Sequence, residues 1–81
     1  MNIKAMVQEA ATRFNGEYYI SKQGVPLVII QTTENKGNLC YFGKTKIWRW
    51  FYPSWEFDTE VTRTDFDSLD SFDLFLAGQM P

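Results

Sequence analysis

The sequence contains no histidine and only one cysteine, Cys40. The first absence removes the commonest general base, proton shuttle and metal ligand at neutral pH. The second leaves no internal disulfide and suits a reducing compartment. Cys40 lies in the apolar run N-L-C-Y-F. It lacks the neighbours that a nucleophilic or metal-bound thiolate needs, and reads as a core or half-buried packing residue. No apolar run approaches the ~20 residues that span a bilayer. The opening M-N-I-K-A-M-V-Q-E is a broken amphipathic pattern, unlike the continuous apolar core of a secretory signal. A cytoplasmic protein is expected.

Catalytic signatures are missing as well. There is no Gly-rich phosphate loop, no Ser or Cys beside a recognisable base, and no motif spacing. The stretch D-F-D-S-L-D-S-F-D has carboxylates but fails as an EF-hand loop. Its third acidic residue comes one position late, and neither the glycine at the sixth position nor the glutamate at the twelfth is present. No enzyme activity, metal or cofactor is expected.

What the chain has in quantity is apolar and aromatic surface. Its 81 residues are 44% hydrophobic and 17% aromatic, enough for one compact domain spanning 1–81. Six of the fourteen aromatics and all three tryptophans fall in I-W-R-W-F-Y-P-S-W-E-F, residues 47–57. Charge is divided unevenly. Residues 1–55 carry seven Lys/Arg against three Glu, whereas 56–81 carry seven Asp/Glu against Arg63 alone.

Ile3, Met6, Val7, Ala10, Ala11 and Phe14 recur at helical spacing, with Asn2 as N-cap and Asn15-Gly16 supplying the left-handed stop. Glu17 to Ser21 and Val25 to Thr32 read as strands joined by K-Q-G. E-N-K-G-N at 34–38 reads as a loop. Leu39 to Phe42 and Lys46 to Tyr52 read as strands around a turn at 43–45. Trp55, Phe57, Thr59 and Val61 alternate with Glu56, Asp58, Glu60 and Thr62, predicting a further strand with one wet face. Ser68 caps a final helix from Leu69 to Ala77, with Leu69, Phe72, Phe75 and Leu76 as its buried stripe and Gly78 as its stop. The expected class is α+β: an N-terminal helix, a four- to five-stranded antiparallel meander and a C-terminal helix, both helices packed on one face of the sheet.

Alternation sends Trp48, Trp50 and Tyr52 to one face and Ile47, Arg49 and Phe51 to the other. Two helices cover a single face, so the opposite residues are either filled internally or available to another molecule. Trp and Tyr dominate interface hot spots, which makes Trp48, Trp50, Tyr52 and Trp55 candidate anchors for a protein partner. Glu56, Asp58, Glu60, Asp65, Asp67, Asp70 and Asp73 form either a solvated flank that keeps the domain soluble or a strip that steers it to a basic groove. A second possibility is single-stranded nucleic acid, with Lys44, Lys46 and Arg49 holding phosphates while Trp48 and Trp50 stack bases. Three cations in an acidic protein make it the weaker of the two. A third is a structural subunit whose aromatic face meets copies of itself.

The leading expectation is a non-enzymatic protein-binding inhibitor or regulator, a monomer or small homo-oligomer, occupying a basic site on another protein. In size, single domain, uneven charge and lack of catalytic groups, the chain resembles the small acidic proteins with which phages and mobile elements block host nucleases or CRISPR effectors, and toxin-immunity proteins. That resemblance implies a viral, anti-CRISPR-like or anti-nuclease role, or an immunity role, and assigns no residues.

Overall fold

Asn2 opens the first helix by accepting a hydrogen bond on its side-chain oxygen from the Ala5 N–H, 3.2 Å away. This satisfies one of the orphan donors of the first turn. In the computed structural model, which describes residues 2–54 and 61–78, helix α1 runs Ile3–Arg13. It ends where Asn15 takes a φ of 54°, so asparagine and not Gly16 supplies the left-handed turn. The strands follow as β1 (Glu17–Ile20), β2 (Pro26–Gln31), β3 (Lys36–Phe42), β4 (Ile47–Tyr52) and β5 (Thr62–Phe66), and helix α2 (Leu69–Ala77) closes the order. The five strands pair as a β1-β2-β3-β4-β5 sheet in which every neighbour is antiparallel. The class is α+β, as the helical and alternating spacings predict.

Both helices lie on one face. Val7, Ala10 and Ala11 of α1 and Phe72 and Leu76 of α2 form one cluster with Val28, Ile30, Leu39, Trp48 and Trp50 of the sheet. The small side chains at positions 10 and 11 let α1 approach β2 closely. Phe72 fills the centre, fully buried. It meets Phe14 edge-on at 5.1 Å between ring centroids, Trp50 at 5.2 Å and Phe66 at 5.4 Å. Such tilted contacts suit ring quadrupoles and add to the area term of burial.

Two expectations need correction. Residues 36–38, read as part of a loop, belong to β3, where Gly37 stands opposite Ile30. A glycine is required there because the Trp50 ring lies on it; a Cβ at position 37 would come within 2.2 Å of that ring. The fifth strand begins where the alternating pattern was expected to end. Thr62–Phe66 pairs with β4, Trp50 opposite Thr64, so residues 63–66, assigned to no element by their spacing, belong to the strand at the end of the sheet among the described residues. Of the predicted strand, residues 55–60 lie outside the described residues.

The helix-free face is also sealed at its centre. Leu27 and Cys40, opposite each other across β2 and β3, are buried there. Asn38 and Ser54 are buried beside them and satisfy each other: the Ser54 hydroxyl donates to the Asn38 side-chain oxygen at 3.2 Å. The Ser54 N–H donates to the Lys36 carbonyl at 2.7 Å, which draws the chain after β4 back across β3. No helix among the described residues is long and apolar enough to cross a membrane.

Candidate binding surface

The aromatic strand divides as its alternation requires, but its tryptophans face inward. Trp48 and Trp50 are 4% and 1% exposed and pack between the sheet and the helices. This corrects their expected place as partner anchors, since neither ring offers surface to another molecule in the folded chain. Tyr52 is half-buried. It stacks on Trp50 at 6.0 Å and shares a 3.0 Å hydrogen bond between its hydroxyl and that of Thr32. Trp55 lies outside the described residues.

The same geometry dissolves the nucleic-acid array. Trp48 and Trp50 turn to the helices while Arg49 turns to the opposite face, so rings and guanidinium do not share a surface. Arg49 is already engaged. Its Nε and one terminal nitrogen donate to the two Asp65 oxygens at 2.7 and 3.1 Å, and its Cζ sits 4.9 Å from the Phe42 ring centre. The bonds from Arg49 hold the Asp65 carboxyl below its ordinary range. Lys44 and Lys46 stand exposed in the turn between β3 and β4.

The acidic segment is split as well. Asp65 lies on the helix-free face against Arg49. Asp70 and Asp73 lie on α2, where Arg13 of α1 reaches both, at 2.7 and 3.2 Å. Asp67 accepts a long 3.4 Å bond from the Ser71 hydroxyl. The described carboxylates therefore form no single strip, and Glu56, Asp58 and Glu60 lie outside the described residues.

The apolar surface that remains open was not singled out by the sequence. Tyr19 is 43% exposed, Val25 40% and Phe42 38%. Val25 and Phe42 border an open groove of about 270 Å³ on the helix-free face, together with Ser21, Gln23, Cys40 and Phe51. The β1–β2 and β3–β4 turns meet the sheet at this same end, because β1 and β3 run towards it. They bring Lys22, Lys44 and Lys46 to the rim, and none of these lysines forms an ion pair among the described residues. The only hint in the sequence was that Val25 and Phe42 are large apolar residues immediately before Pro26 and Gly43, where a strand ends and its neighbours stop covering it.

Cys40 lines the groove floor but is poorly suited to chemistry. Burial pushes its thiol up to about 11, so at neutral pH it is a neutral packing group and not a thiolate nucleophile. Among the described residues no three His, Cys, Asp or Glu side chains are grouped to hold a metal ion. What the surface offers chemically is an apolar notch with a cationic rim. Comparison of the chain with protein-family models, with curated proteins and with solved structures returns no match.

Proposed function

We propose that this chain is a non-enzymatic protein-binding regulator or inhibitor that works through the turn end of its helix-free sheet face. The observation that carries this reading is that Val25 and Phe42, both more than a third exposed, border one groove, with the exposed Tyr19 on the same sheet face. Large side chains left open in an 81-residue domain that buries two tryptophans are a cost to solubility unless something covers them. The rim lysines select the occupant: a protein segment with an apolar side chain for the notch and carboxylates to meet Lys22, Lys44 and Lys46. This reverses the polarity expected from sequence, in which the chain's own carboxylates were to lead. Those among the described residues that would have done so are largely taken up by Arg49 and Arg13.

The test is affinity capture from the native host with mass spectrometry, run in parallel on wild type, F42D and V25D, with circular dichroism to verify folding. The expected result is a protein retained by wild type, released by both variants and progressively lost as salt is raised. Retention unchanged by either substitution would overturn the proposal.

A further inference from the structure

The far edge of the sheet has a different character. Strand β5 bonds to β4 on one side, and nothing among the described residues pairs with its other side. An unpaired strand edge is a template for another strand, and natural proteins usually blunt it with charge. Scattered like charges at an edge repel a second copy. Those of β5, T-R-T-D-F, do the opposite in one register. Set two β5 strands antiparallel about a two-fold axis through Thr64, and Arg63 of each copy stands opposite Asp65 of the other. Thr64 then faces itself and Thr62 faces Phe66.

Directly opposed residues in an antiparallel pair share a face, so this register keeps the helices of both copies on one side of a continuous sheet. There the edge is apolar. The rings of Phe66 and Phe75 are 5.1 Å apart. Helical spacing puts Phe75 on the flank of α2 turned away from α1, because Asp70 and Asp73 on the other flank are held by Arg13, whereas Leu74, one turn after Asp70, points outward from the sheet. The edge thus presents the Phe66 and Phe75 rings above, backbone unpaired among the described residues in the middle, and charges of both signs below. Strand β1, the other edge, has the sequence E-Y-Y-I and brings no opposite charges together in any such register.

We propose that a second copy of this chain docks on β5 in that register, giving a two-fold dimer with one continuous antiparallel sheet and Phe66 and Phe75 at its helical seam. Asp65 then bridges two guanidiniums, its own Arg49 and the second copy's Arg63. Arg63 is exposed and lies over the Phe51 ring at 5.8 Å, within a side-chain swing of the interface. The dimer leaves the groove bordered by Val25 and Phe42 uncovered, so it stands independently of the function proposed above.

Sedimentation equilibrium from micromolar to submillimolar concentration is the test. Wild type is expected to move from the 9.5 kDa monomer to twice that mass. R63D, which sets Asp against Asp65 at both ends of the pairing, should raise the dissociation constant by about tenfold or more without changing the circular dichroism spectrum. R63D mixed with D65R should recover a heterodimer, since all four opposed positions then carry opposite charges. Independently of charge reversal, T64C should form an intermolecular disulfide under mild oxidation while T62C should not, because only position 64 meets itself. Cys40 is buried and stays out of that reaction. A wild-type chain that remains monomeric throughout, R63D dimers as tight as wild type, or equal cross-linking at 62 and 64 would each overturn the proposal.

Discussion

Trp50 touches the core on three sides. Tyr52 stacks beside it, Phe72 tilts against it at 5.2 Å, and Gly37 on the neighbouring strand lies under its six-membered ring. The glycine is there for lack of volume, as its backbone is ordinary strand. Replacing it with alanine forces a methyl group into the indole, and overpacking of this kind costs about 1–3 kcal/mol. G37A should therefore lower the urea midpoint at an unchanged slope, a difference that equilibrium unfolding followed by circular dichroism resolves. This residue also shows where sequence reasoning stops. E-N-K-G-N is rich in turn formers, and nothing local separates a glycine that bends the chain from one that makes room for a ring thirteen positions away. Asn38 and Ser54 escaped notice for a similar reason. Each looks like a loop residue alone, and burial is tolerable only because each satisfies the other.

At the scale of elements, α2 was readable almost completely. Ser68 caps it by accepting from the Ser71 N–H at 3.1 Å, and the helix spans Leu69–Ala77 with Phe72 and Leu76 buried. Cap, stripe and stop all lie within a dozen residues, so local chemistry carries the information. S68A should cost about 1 kcal/mol and lower the melting temperature by several degrees in calorimetry, with the native spectrum retained at room temperature. Strand β4 was half readable. Period-two alternation gave its two faces, but I-W-R-W-F-Y is large on both, and no residue in it marks which side the helices cover. Of strand β5 only Thr62 fell within the predicted alternating segment, most of which lies outside the described residues. T-R-T-D-F has little alternation of its own and owes its place to pairing with β4 through Arg49 and Asp65 and to Phe66 packing beneath α2.

Over the whole molecule, the uneven charge of the two halves folds into cross-links between them. Arg13 and Arg49 from the basic half reach Asp70, Asp73 and Asp65 from the acidic half. The charge imbalance was visible in the sequence; its neutralisation was not, because the bonds from Arg13 span 57 and 60 residues. A pH dependence follows from Asp65. Its carboxyl titrates lower in the folded chain than when unfolded, chiefly through its hydrogen bonds from Arg49. The stability it contributes is therefore complete above the ordinary carboxylate range and is lost as pH falls through its folded value. Thermal melts of wild type and D65N at low micromolar concentration, from neutral pH to about pH 2.5, should show wild type the more stable at neutrality and the gap closing in acid. A gap that stayed constant would assign the difference to shape instead of charge.

The central position of Phe72 also governs how the protein is made. The ring that joins Phe14, Trp50 and Phe66 belongs to the last of the described elements, so a nascent chain cannot complete this interior until α2 has left the ribosome. Until then Trp48 and Trp50 have one wall missing, and the growing sheet carries its stickiest surface uncovered during synthesis.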